Sequence, residues 1–124
     1  MIGKKILIIE DNPLNLELAT DLLEANGFVV SSASAAEEGL RMAREVLPDL
    51  VLMDLGLPGM DGLCATKDLK ANPATRHLPV VGLTAHAMTG DTEIAFKAGC
   101  DGYLTKPIDT RTFIETITRF IVPA

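Results

Sequence analysis

Apolar residues in this chain come in two rhythms, short unbroken runs and rows at helical spacing, and the two alternate from end to end. Lys5 to Ile9 reads as a first strand, stopped by Glu10-Asp11-Asn12-Pro13. Asn12 suits a helix N-cap and Pro13 the first helical position. Leu14, Leu18, Leu22 and Ala25 then recur at i, i+4, i+8 and i+11, with Leu16 and Leu23 widening the stripe. This predicts a first helix buried along that row and ended by Asn26-Gly27, followed by a short strand from Phe28 to Ser32.

Ser34, with Glu37 three residues on, has the form of a capping box, and Leu40, Ala43 and Val46/Leu47 continue at helical spacing to Pro48. Leu50 to Met53 is wholly apolar, which suits a strand covered on both faces, and a lone carboxylate, Asp54, ends it. Gly56, Pro58, Gly59 and Gly62 mark a loop, so the next helix starts after Met60 and carries Leu63, Thr66, Leu69 and Lys70 until Asn72-Pro73. Leu78 to Leu83 is a fourth strand running into Thr84. A fourth helix runs from Thr89 or Asp91 through Phe96 to Ala98, with Gly99 as its stop, and Gly102 to Thr105 is a fifth strand. After Lys106-Pro107, Asp109 or Thr110 caps a last helix with Phe113, Ile114, Ile117, Phe120 and Ile121 on its apolar side. That side is wider than one buried stripe needs, leaving Phe113 or Phe120 either in a buried helix end or on a docking surface.

Five strands alternating with five helices predict an α/β, doubly wound, five-stranded parallel sheet with right-handed crossovers. Periodicity does not give the strand order, but 2-1-3-4-5 is one of two common solutions and needs five strands. At 124 residues, 48% of them apolar, the chain is expected to be a single domain over 1–124 with no output domain. A net charge of -6 repels a phosphate backbone and disfavours direct nucleic-acid binding. No stretch is long enough for a signal peptide or membrane insertion, so a cytoplasmic location is expected. Cys64 and Cys100 are far apart, outside any C-x-x-C pair, and read as ordinary buried thiols; His77 reads as an exposed loop residue.

In such folds ligands bind at the carboxyl ends of the strands. There the chain offers Glu10 and Asp11, Asp54, Thr84 and Lys106. Singly, each has a plain alternative: Glu10 and Asp11 could complement a helix dipole, Asp54 could cap a turn, Thr84 could be an ordinary strand residue and Lys106 an exposed lysine. Jointly, three carboxylates in one crevice call for a cation, and oxygen donors of this kind suit Mg2+. A carboxylate beside Mg2+, an amine and a hydroxyl is equipped to attack phosphorus and form an aspartyl phosphate. No Gly-rich phosphate cradle is present, so the donor is expected to be something other than ATP.

The acidic pair after the first strand, Asp54 followed by Leu-Pro-Gly-Met-Asp-Gly, Thr84-Ala85 and Lys106-Pro107 together resemble the receiver domain of two-component response regulators, the CheY-like superfamily, over essentially the whole chain. Thr84-Ala85-His86-Ala87-Met88 and Tyr103-Leu104-Thr105-Lys106-Pro107-Ile108 look most like DivK-type single-domain regulators and receivers of hybrid kinases. The resemblance implies that Asp54 accepts a phosphoryl group from a phosphohistidine on a histidine kinase or histidine phosphotransferase. It implies Mg2+ held by Glu10, Asp11, Asp54 and the backbone carbonyl of Gly56, with Lys106 and Thr84 at the phosphoryl group. Thr84 and Tyr103 match the family's switch pair, and Gly56 and His86 the positions that tune phosphate loss. Docking of the phosphodonor is implied around Asn15, Leu16 and Pro107 to Ile108.

The expected role is thus a stand-alone signalling domain rather than a conventional enzyme, reporting to a downstream protein through the face of the fourth helix, fifth strand and fifth helix. One rival is the same domain cut from a hybrid histidine kinase, against which Met1 argues. Another is a small Mg2+-dependent phosphatase with an aspartyl-phosphate intermediate, which needs a second acid where this chain has Gly56. A flavodoxin-like cofactor binder needs phosphate-binding hydroxyls where Glu10 and Asp11 stand.

Overall fold

The five apolar runs pair side by side in a computed structural model that describes residues 3–55, 62–84, 96–105 and 108–121. They form β1 (Lys5–Ile9), β2 (Val29–Ala33), β3 (Leu50–Asp54), β4 (Val80–Thr84) and β5 (Gly102–Thr105), all parallel, in the order β2-β1-β3-β4-β5. The expected 2-1-3-4-5 sheet is therefore present. Between the strands lie α1 (Pro13–Ala25), α2 (Ala36–Val46), α3 (Gly62–Ala71), α4, described over its helical residues 96–98, and α5 (Thr110–Ile121).

β3 shows why its run is unbroken. Val51 and Met53 pack with Leu7, Ile9 and Val80 against α2 and α3, through Leu40, Ala43, Ala65 and Leu69. Leu50 and Leu52 face the other way, with Ile6, Ile8, Val81 and Leu83, onto Ala19 and Leu23 of α1 and Phe113 and Ile117 of α5. Helices cover both faces, so alternate residues of one strand enter two separate apolar layers.

Several local expectations need correction. In α1 the buried residues are Ala19 and Leu23, with Leu16 and Leu22 partly buried; Leu14 and Leu18 are exposed, at 76% and 39%. Leucines are spread around much of this helix, and the Leu14-Leu18 row lies roughly 100° from the row that meets the sheet, one residue step at 3.6 residues per turn. Phe28 belongs to the stop of α1 and not to β2. Its N–H donates to the carbonyl of Leu23 (3.1 Å) and that of Gly27 to Glu24 (3.0 Å), with Gly27 at φ 88°, a closing pattern that buries Phe28 over Leu23.

The N-cap of α2 is Ala35, not Ser34, and no side chain caps it; Glu37 and Glu38 in its first turn complement the helix dipole instead. Leu47 is half exposed rather than core, because it ends α2 in the left-handed region at φ 49° ahead of Pro48. β4 begins at Val80 rather than Leu78: the N–H of Leu78 closes a turn onto Thr75, and Pro79 has no N–H to give. Asp109 caps α5, its carboxylate accepting from the N–H of Arg111 at 2.8 Å. Phe113 is fully buried and Phe120 packs into the same layer, so both belong to a buried helix end. Cys100 is buried as expected, but Cys64 is exposed on α3. His77 is exposed, Gly99 follows helical residues 96–98 at φ 113°, and the expected start of α4 at Thr89 or Asp91 lies outside the described residues.

Candidate metal and phosphoryl site

Register brings the strand ends level. Ile9 stands opposite Met53, Asp54 opposite Leu83, and Thr84 opposite Thr105, so β1, β3, β4 and β5 finish at one edge of the sheet. Glu10 continues β1 by one residue, its N–H donating to the carbonyl of Ala33 at the end of β2 (3.0 Å). Its side chain is buried, and Oε1 accepts from the N–H of Asn12 at 3.1 Å. Asn12 in turn caps α1, its Oδ1 accepting from Leu14 (2.9 Å) and Asn15 (3.2 Å). One short segment thereby starts a helix and holds a carboxylate inward.

Asp54 is the last residue of β3 and is 3% exposed, whereas Asp11 is exposed. Carboxylate oxygens of Glu10, Asp11 and Asp54 all lie within 4.8 Å of one another. Gathering three negative charges, two of them buried, is unfavourable without positive charge nearby. Hard oxygen donors at this spacing fit a hexacoordinate divalent cation that keeps part of its water shell, so the donor set suits Mg2+.

Of the residues singled out from sequence, Glu10, Asp11 and Asp54 are brought together, and Thr84 ends the strand beside Asp54, half buried. Tyr103 lies on the edge strand β5 with 37% exposure, its ring meeting that of Phe96 edge-on at 6.0 Å and 83°. Gly56, His86, Lys106 and Pro107 fall outside the described residues. Of the expected docking residues, Leu16 and Ile108 are both partly buried against the layer under α1 and α5; the large apolar side chains exposed on α1 are Leu14 and Leu18.

Gly62 was not singled out as a site residue, yet it opens α3 directly beneath the end of β3. A Cβ there would strike the carbonyl oxygen of Asp54 and lie 2.6 Å from the Cα of Leu55. In the sequence Gly62 is indistinguishable from the loop glycines before it. The Asn12 contact to Glu10 was similarly hidden behind its role as a cap.

The response regulator receiver domain family model matches residues 6–118. The polar-differentiation response regulator DivK of Brucella ovis is 46% identical over 118 residues, covering 95% of this chain and 96% of the relative. The receiver domain of sensor histidine kinase PA1611 from Pseudomonas aeruginosa PAO1, a crystal structure with a magnesium ion coordinated in its active site cleft, superposes with TM-score 0.89 at 34% identity, covering 96% and 98% of the two chains. The chemotaxis response regulator CheY4 of Vibrio cholerae shares the fold, with TM-score 0.90 at 23% identity over 95% and 98%.

Proposed function

This chain belongs to the family of response regulator receiver domains, and we propose that it acts as a stand-alone receiver in a two-component phosphorelay, taking a phosphoryl group from a phosphohistidine onto Asp54. The observation that carries this reading is the cluster of Glu10, Asp11 and Asp54 within 4.8 Å at the ends of β1 and β3. The alignment with DivK over 95% of this chain and 96% of the relative supports a single-domain reading of 1–124; a cytoplasmic location is part of the same proposal. Among the described residues no helix is long and apolar enough to cross a membrane.

In the transfer, a carboxylate oxygen of Asp54 attacks phosphorus, the P–N bond to the donor imidazole breaks with its electrons leaving on nitrogen, and an acyl phosphate forms on Asp54. Glu10, Asp11, Asp54 and the backbone carbonyl of Gly56 would hold Mg2+. When bound, the ion neutralises charge on the phosphoryl oxygens. Burial of Asp54 at the end of β3 limits the bulk water around its carboxylate. Lys106 and the Thr84 hydroxyl are assigned to the phosphoryl oxygens. Thr84 and Tyr103 are assigned as the switch: drawing the hydroxyl toward the phosphoryl group frees space at β4, and the Tyr103 ring leaves Phe96 to turn inward. The face of α4, β5 and α5 would then present the result to a downstream protein, and hydrolysis of the acyl phosphate would reset it.

Incubation with Mg2+ and acetyl phosphate, followed by intact mass, tests this. The wild type should gain one labile phosphoryl group and Asp54→Ala none. Absence of uptake by the wild type, where a control receiver is loaded, would leave a binding module on a receiver fold. Turnover of a phosphate ester would instead favour the phosphatase.

A further inference from the structure

Gly62, Thr66 and Lys70 lie one turn apart on α3, and each is engaged with something other than apolar side chains. Gly62 abuts the peptide of Asp54. The Thr66 hydroxyl, completely buried, donates to the carbonyl of Gly62 at 2.7 Å and accepts from the Cys100 thiol across 3.9 Å. Lys70 Nζ donates to the carbonyl of Leu78 and to Asp101 Oδ2, both at 2.9 Å, and the same Asp101 oxygen accepts from the N–H of Val80 at 2.8 Å. Gly99 packs on the Lys70 stem, where a Cβ would come within 2.7 Å of Cγ.

This row therefore runs from the Asp54 peptide to residues 99–101, the connector between α4 and β5. Its lower end is clamped by the three hydrogen bonds of Lys70 and Asp101, whereas its upper end is one close backbone approach. Between them stands a buried hydroxyl against a largely aliphatic layer that also holds Cys100. Burying a hydroxyl is unfavourable unless it is bonded, and a threonine has one proton and two lone pairs to distribute. Here the proton goes to Gly62 and a lone pair faces Cys100. Any shift of Gly62 relative to Thr66 alters what the hydroxyl offers the thiol.

We propose that Thr66 is a coupling residue: displacement of the Asp54 peptide on phosphoryl uptake passes through Gly62 to the Thr66 hydroxyl and is read at Cys100, at the root of β5. The inference rests on the phosphoacceptor role of Asp54 given above. Burial pushes the Cys100 thiol pKa up, which keeps it protonated and able to donate. A threonine bonded back to the residue four positions earlier is common in helices and by itself predicts no response at Cys100.

The S–H infrared stretch reports hydrogen bonding of a thiol directly, and Cys64→Ser leaves Cys100 as the single source of that band. The full-length Cys64→Ser protein is treated with Mg2+ and acetyl phosphate while intact mass records uptake. The expected result is a band shift accompanying uptake, retained in Cys64→Ser/Thr66→Ser and lost in Cys64→Ser/Thr66→Val, with all three proteins loaded. Uptake with an unmoved band in Cys64→Ser, or the same shift in the valine variant, overturns the coupling and leaves the phosphoacceptor role standing. No uptake in any of them overturns both. The Cys64→Ser protein alone can refute the coupling, whether or not the valine variant folds.

Discussion

Gly62, which opens α3, and Cys100, which bonds Thr66 in the middle of it, show how much single residues contribute. The atoms that a Cβ at Gly62 would meet are backbone atoms of Asp54 and Leu55 at the end of β3, which cannot swing aside as a side chain can. Gly62→Ala must therefore push α3 away from Asp54, with an expected destabilisation of about 1–3 kcal/mol, the usual range for overpacking. Urea unfolding should record that loss together with slower phosphoryl uptake, since the displaced strand end carries the acceptor. Cys100 makes a pH prediction. Burial is the main cause of its raised pKa, aided by the charge of Asp101 and opposed by that of Lys70. Below the ordinary thiol value of 9.0 both folded and unfolded chains are protonated here, and the group leaves stability independent of pH. Above it the unfolded chain releases the proton first, binds fewer protons than the native state, and stability falls as pH rises through the raised folded value. Urea midpoints measured on either side of 9.0 should thus drop less in Cys100→Ala than in the wild type.

At the scale of elements, the inner strands β1, β3 and β4 were legible because they are buried on both faces and written as continuous apolar runs; Asp54 stood out as the polar residue ending such a run. Helix α1 was not legible in the same way. A leucine-rich helix satisfies several stripes at once, and only the sheet decides which one is inside, so the residues first read as core, Leu14 and Leu18, stand in solvent. Two exposed leucines one turn apart, on the helix that follows Glu10 and Asp11 and also carries Glu17, Asp21 and Glu24, suit an apolar partner helix with basic edges. Replacing both with serine should leave uptake from acetyl phosphate unchanged while slowing transfer from a phosphohistidine protein. Comparing the two donors on one variant separates docking from chemistry: equal slowing with both would mean that the leucines act on the site itself. Capping was legible at Asn12, which has the right side chain in the right place, and misread at Ser34, one residue too early for the turn that Ala35 begins.

For the whole molecule, the sequence disclosed which polar residues end the strands, but not that register would bring three carboxylates within 4.8 Å. That distance follows from Ile9 standing opposite Met53, and it sets a conflict between folding and function. Without metal, Glu10 and Asp54 are buried like charges close to Asp11, and repulsion at this range opposes the fold by on the order of 1 kcal/mol or more. With Mg2+, the same oxygens become ligands, and a cation that binds only the folded chain stabilises it by about 2.7 kcal/mol at a hundredfold excess over its dissociation constant. Glu10→Gln removes a charge but keeps an amide oxygen for the N–H of Asn12, so the Asn12 segment and its helix cap are retained. In EDTA this variant should unfold at higher urea than the wild type. As Mg2+ is added the wild type should overtake it, because the variant has lost a charged ligand and gains less from the same ion. A variant weaker than the wild type in both conditions would show Glu10 to be a structural residue whose carboxylate the fold requires. A variant stronger in both would mean that Glu10 is not a ligand and that the cation, if held, is held elsewhere.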